Sequence, residues 1–137
     1  VKKLVQYHMV PAQFITHQAR LSRYKHLAYK LAPETNCYLL ALLAQADKRG
    51  RNHQLREPLA GPIQSSQDFI KRAAQAQVLY APEKPILNGK DLIKYIQPGP
   101  QLGNMLKKAY KIQIDENVTN KKELISKILH IMKKIVI

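Results

Sequence analysis

Apolar residues recur along this chain at helical rather than alternating spacing, and breakers cut the pattern into short segments. Leu4, Val5 and His8 share one side of a predicted first helix over 1–9, which Pro11 ends or bends. The spacing of Phe14, Ala19, Leu21, Leu27, Ala28 and Leu31 predicts a second helix over 12–31, broken at Pro33. From Tyr38 to Ala46 the chain is apolar nearly all round, which predicts a central, buried third helix. Lys48, Arg49 and Gly50 give that helix a basic end with a glycine stop. Residues 52–64 read as a loop with Pro58, Gly61 and Pro62. Ser65 is the expected cap of a fourth helix reaching about Tyr80, with Asp68 in its first turn.

The last third has a different texture. Leu87 to Ile93 looks like a turn entering a short helix, and Pro98-Gly99-Pro100 interrupts it. Pro100 suits the first position of a new helix, where its missing N–H costs nothing. That helix carries Leu102, Met105, Leu106, Ala109 and Ile112 on one face. Asn120 with Glu123 resembles a capping box opening a strongly apolar final helix, Leu124 to Ile137. No stretch shows sustained strand alternation. The expected fold class is all-α, a multi-helix array of about six to eight short helices, divided near Pro82–Pro85 into a body over 1–81 and a tail over 82–137.

Charge narrows the function classes. The 137 residues carry 23 Lys and Arg against nine Asp and Glu, a net +14. Such an excess repels itself unless a polyanion balances it, so nucleic acid is the first candidate partner. An anionic membrane surface is the second, and a merely soluble basic domain the bland alternative. No apolar run reaches membrane-span length and no signal peptide is visible, so no membrane partner is expected. Cys37 is the single cysteine and reads as a buried thiol, which excludes an internal disulfide and fits a cytoplasmic setting. The first residue is Val rather than Met, so the chain is expected to be a piece of a longer protein.

The sharpest feature is Gly89-Lys90-Asp91-Leu92-Ile93 followed by Pro98-Gly99-Pro100 and Gly103. Two helices meet at a tight joint. Gly99 permits a positive φ or a close backbone approach, and the N–H groups opening the second helix suit a phosphate. Gly103, one turn in, leaves that surface open. Lys90, Lys94, Lys107, Lys108 and Lys111 surround the joint in sequence, as in a helix-hairpin-helix clamp on a nucleic-acid backbone. A plain helix joint with solvated lysines fits equally well. Upstream, Arg49 and Arg51, with Arg56 beyond them, either reach phosphates or pair within the fold, as Arg49 with Asp47. Arg20, Arg23, Lys25 and Lys30, interleaved with Tyr24 and Tyr29, read as a nucleotide-stacking stripe or an ordinary amphipathic helix.

These residues carry a resemblance. The Gly89–Ile93 block, Pro98-Gly99-Pro100 and Gly103 resemble the motif in the C-terminal region of the CCA-adding tRNA nucleotidyltransferase and poly(A) polymerase family. Ala46-Asp47-Lys48-Arg49-Gly50-Arg51 and Leu4-Val5-Gln6-Tyr7-His8-Met9 resemble segments of the preceding helical region, in matching order over nearly the whole chain. The resemblance implies a helical body and tail that hold the acceptor and TΨC arms of tRNA. It also implies a separate N-terminal head that carries the metal-binding carboxylates and uses Mg and ATP or CTP. This chain has no Asp-x-Asp, no Gly-Ser nucleotide loop and no strand to hold them. Two-metal phosphoryl transfer needs such paired carboxylates. No catalytic residue, resident cofactor or metal site is therefore expected here, and the chain alone should not add nucleotides.

Two other readings remain open. His8 and Asp47 could be remnants of an HD-type phosphohydrolase domain, although no His-Asp dipeptide exists. The favoured reading is a packed or hydrogen-bonded His8, and an Asp47 paired with Arg49 or Arg51 or capping a neighbouring helix. The apolar final helix could instead make the chain a helical dimerisation module, that is, a homodimer.

Overall fold

A computed structural model describes residues 2–50 and 63–136, with side chains to 133. The proposed 52–64 loop, save its last two residues, and with it Arg56, lies outside the described residues, as does Arg51. Among the described residues, eight helices run in the order α1 (Lys2–Tyr7), α2 (Val10–Thr16), α3 (Leu21–Leu31), α4 (Cys37–Gly50), α5 (Gln64–Gln75), α6 (Gly89–Leu92), α7 (Pro100–Asp115) and α8 (Lys121–Val136). No strand occurs among the described residues, and the fold is an all-α array. The chain divides into two compact units, Val1–Glu83 and Lys84–Ile137.

The first unit packs α1 to α5 around Tyr24, Leu27, Leu31, Cys37, Leu40, Phe69, Ala73 and Val78. Phe14, Tyr24 and Phe69 form an aromatic centre, with ring centroids 5.0 Å apart for Phe14–Tyr24 and 5.2 Å for Tyr24–Phe69. The second unit packs α6, α7 and α8 around Leu87, Leu92, Ile96, Met105, Ala109, Val118, Leu124 and Ile128. The apolar face of α8 is thus used inside its own unit, through Leu124 and Ile128.

Three expectations about the helices are corrected. The single helix over 12–31 is two helices, because Gln18 turns to φ 52° and ends α2. There Gln18 N–H donates to Ile15 O and Ala19 N–H to Phe14 O, the paired bonds of a Schellman stop. The device recurs at Gln77 (φ 62°), where Gln77 N–H meets Ala74 O and Val78 N–H meets Ala73 O, so α5 stops short of Tyr80. It returns in part at Asn117 (φ 52°), where Val118 N–H reaches Gln113 O. Each left-handed residue is followed by a buried apolar one, Ala19, Val78 or Val118, whose burial offsets the backbone cost.

The second correction concerns α4. This helix packs against each of α1, α2, α3 and α5 and so is central in its unit, but it is not buried all round: Cys37, Leu40 and Ala41 are buried, whereas Leu39 and Leu42 are 44% and 42% exposed. The third concerns Ser65, which does not cap α5. The buried Ile63 occupies the cap position, and the Ser65 hydroxyl instead receives Lys48 Nζ at 3.3 Å.

A buried glutamine that the apolar pattern passed over ties the second unit together. Gln113 is 2% exposed on α7. Its amide donates to Lys84 O and accepts from Ile86 N–H, both at 2.9 Å. The extended segment ahead of α6 is therefore pinned to α7 by two hydrogen bonds from one side chain.

Candidate nucleic-acid interface

The second unit presents the Pro-Gly-Pro joint at its surface, and local rules fix its shape. A complete capping box opens α6. Asn88 Oδ1 accepts from Asp91 N–H at 3.3 Å, and Asp91 Oδ2 accepts from Asn88 N–H at 2.9 Å. Asp91 Oδ1 also receives Lys121 Nζ at 3.1 Å, which ties α6 to the start of α8. The Asn88 N–H, and then Lys121, hold the Asp91 carboxyl below the usual carboxylate range. Asp91 is therefore an anion committed to the fold. A methyl group added at Gly89 would meet Leu102 Cδ2 at 3.9 Å, so α6 lies close against the first turn of α7.

Leu92 and Ile96 bury the inner side of the turn that follows α6, which leaves Lys90 and Lys94 in solvent. Gly99 then takes φ 147° and ψ −171°, a region open essentially to glycine alone. Its carbonyl accepts Leu102 N–H at 3.1 Å and Gly103 N–H at 3.4 Å. No side chain caps α7, and Pro98, Gly99, Pro100 and Gln101 are all exposed. Nothing lies within 4 Å of where a side chain on Gly103 would begin.

Met105, Ala109, Tyr110, Gln113 and Ile114 bury one face of α7. Pro100, Asn104, Lys107, Lys108 and Lys111 are exposed, on an outer stripe at helical spacing. Lys111 comes about 16 Å along the axis from Pro100. None of Lys90, Lys94, Lys107, Lys108 and Lys111 has an ion-pair partner among the described residues. The acidic side chains of α7 and the turn after it, Asp115 and Glu116, stand at the helix end away from the joint, and Glu116 takes Lys127 at 2.7 Å.

Unit composition sharpens the picture. Residues 84–137 carry eleven Lys, no Arg and four acidic side chains, a net +7. Lysine is a point charge on a flexible stem, whereas the arginine fork reads base edges and phosphates in a fixed geometry. A surface whose cations are all lysine suits attraction to a backbone without base selection.

The remaining candidates fall in the first unit. Arg49 is half-buried at the end of α4, where the Gln45 amide oxygen, turned toward it, accepts from its guanidinium at 2.9 and 3.0 Å. Asp47 faces His8, with His8 Nε2 3.9 Å from Asp47 Oδ2 and His8 Nδ1 2.6 Å from Val5 O. The pair links the end of α1 to α4. Among the described residues, no three His, Cys, Asp or Glu side chains form a metal-holding group. In the helix α3 stripe, Tyr24 is fully buried, Arg23 sits over the Phe14 ring and Lys25 pairs with Glu83 at 2.9 Å. These side chains are occupied within the fold.

One exposed residue beside the joint, Tyr95, escaped sequence reasoning. Tyr95 is 49% exposed, and Ile93, which belongs to the sequence motif, is 53% exposed. The available signal was the place of Tyr95 off the 92/96 apolar register, between Lys94 and the Pro-Gly-Pro break.

Residues 64–129 match a family model described as tRNA nucleotidyltransferase domain 2, putative. The match covers α5, the joint, α7 and most of α8, and the C-terminal tRNA nucleotidyltransferase resemblance holds over this stretch. No curated protein and no solved structure matches the chain. Among the described residues no helix is long and apolar enough to cross a membrane.

Proposed function

We propose that this chain is the RNA-holding C-terminal part of a tRNA nucleotidyltransferase. Its tail grips the sugar-phosphate backbone of the acceptor and TΨC arms. It thereby places the tRNA 3′ end in a catalytic head that lies outside this sequence and uses Mg and ATP or CTP. The carrying observation is the stripe of unpaired lysines beside an exposed, uncapped helix start, inside the segment that matches the family model. Gly99 lets the chain reverse there, and Gly103 leaves room for a strand to approach. Lys90, Lys94, Lys107, Lys108 and Lys111 supply the neutralising charge. Arg49, and Arg51 beyond the described residues, would add contacts from the body.

The chain's role is positioning. It has no paired carboxylates of the Asp-x-Asp kind, so the phosphoryl-transfer chemistry belongs to the head. A filter-binding titration of the full chain with tRNA, repeated from 50 to 300 mM salt, tests this. Affinity should fall along a straight line in log-log form, with a slope of roughly −3 to −5 if about five lysines meet phosphates. A flat salt response, or no binding at the lowest salt, overturns the proposal.

A further inference from the structure

Resting on that reading, we infer that Tyr95 is a stacking platform for an unpaired nucleotide, so the tail favours RNA with a looped or frayed element over a blunt duplex. The ring is about half exposed, and its hydroxyl has no partner among the described residues. Its backbone is fixed, since Tyr95 N–H and Ile96 N–H both donate to Leu92 O, at 2.9 and 3.0 Å. Leu92 and Ile96, on either side, are anchored in the core. The phenol therefore stands on a rigid base with only two side-chain torsions to order on binding.

Its surroundings identify the occupant. Lys94 precedes it and Lys90 lies one helical turn earlier, both exposed, and the exposed Pro98-Gly99-Pro100 corner follows. Ile93, also exposed, adds an apolar surface that a paired backbone would leave wet. A protein partner able to cover Ile93 and Tyr95 would also have to neutralise those ammonium groups. A flipped or looped nucleotide answers both demands, because its base covers the ring while its flanking phosphates meet the lysines. A regular duplex offers phosphates but no free base face.

The chain contains no Trp, so Tyr95→Trp creates a single fluorescent reporter at the site. Binding is followed separately by the anisotropy of a labelled RNA, using a hairpin with an unpaired loop and a blunt duplex of equal charge. The expected result is strong quenching of Trp emission by the hairpin and little by the duplex. Tyr95→Ala should weaken hairpin binding roughly tenfold, should change duplex binding less than twofold, and Tyr95→Phe should keep both. Emission that does not change while anisotropy shows hairpin bound overturns the inference and leaves the backbone-gripping function standing. So does equal loss of both RNAs in a folded Tyr95→Ala protein. Absence of any RNA binding at low salt removes the proposed function and the inference together. The tryptophan reading does not depend on the alanine variant folding.

Discussion

The two units carry the same net charge, +7 each, and use it differently. The first has six Lys, six Arg and five acidic residues, whereas the second has eleven Lys, no Arg and four acidic residues. In the first unit Arg72 donates to Ala19 O and Gln75 and lies over the Tyr24 ring, Lys3 meets Glu34 and Ala32 O, and Lys25 meets Glu83. Even the open cleft of about 410 Å³ lined by Phe14, Tyr24, Lys71 and Arg72 has its arginine occupied by Ala19 and Gln75. In the second unit only Lys121 and Lys127 are engaged in ion pairs among the described residues, with Asp91 and Glu116. Net charge alone therefore does not mark a polyanion site. What marks it is charge that the fold leaves unspent.

The largest expected effect follows directly. Lys107, Lys108 and Lys111 changed together to Ala should weaken tRNA binding about a hundredfold at 100 mM salt and flatten the salt slope by roughly two to three. The melting temperature should stay close to wild type, because all three are exposed and unpaired. Lys25→Ala in the first unit should show the reverse pattern, with little loss of binding and a small loss of stability. Equal binding losses from the two proteins would erase the distinction between the units.

Gln113→Leu tests what holds the tail together, and should cost about 2 kcal/mol in a denaturant melt. The substitution strands Lys84 O and Ile86 N–H without their partner. A chain whose stability is untouched would mean that the segment before α6 needs no pin.

How much of this was legible in the sequence depends on the kind of signal. Helices with a strong apolar period were, as was the Pro100 start of α7, because proline fixes its own backbone. The stops at Gln18 and Gln77 were not, because glutamine carries no turn signature and the stop is secured by the burial of the next residue. Gln113 was silent for a related reason, since a polar residue beside an apolar face shows its worth only once its backbone partners are placed. The apolar run of α4 pointed to a helix that meets each of α1, α2, α3 and α5, but composition cannot say which apolar positions, such as Leu39 and Leu42, a helix leaves exposed. At the candidate site, the lysines and glycines could be named in advance. Which lysines lack acidic partners, and that Tyr95 faces solvent, required the fold.

The first unit also holds the chain's one thiol, and its titration is the next effect in size. Burial pushes Cys37 up to about 12. A raised folded value means the stabilisation is whole below the unfolded thiol range and drains as pH climbs toward the folded value. Relative to Cys37→Ala, wild type should lose about 2 kcal/mol between pH 8 and pH 10.5, read from paired denaturant melts. Parallel curves would show that the thiol ionises as easily folded as unfolded. Because the second unit has no cysteine, any such slope reports on the first unit alone.

The smallest effects separate two glycines that belong to one motif. Gly99 sits at φ 147°, ψ −171°, so Gly99→Ala should cost roughly 1–2 kcal/mol even though a methyl group would meet nothing within 4 Å. Gly103 is an exposed residue inside α7 with the same empty surroundings, and there alanine is the better helix former. Gly103→Ala should therefore stabilise the tail by about 0.5–1 kcal/mol. If the chain retains glycine there for an approaching strand, that more stable protein should bind tRNA several-fold more weakly, because the methyl group occupies the space the backbone needs. A variant that gains stability and binds as well as wild type would show that the strand passes elsewhere, and would leave the lysines as the whole of the grip.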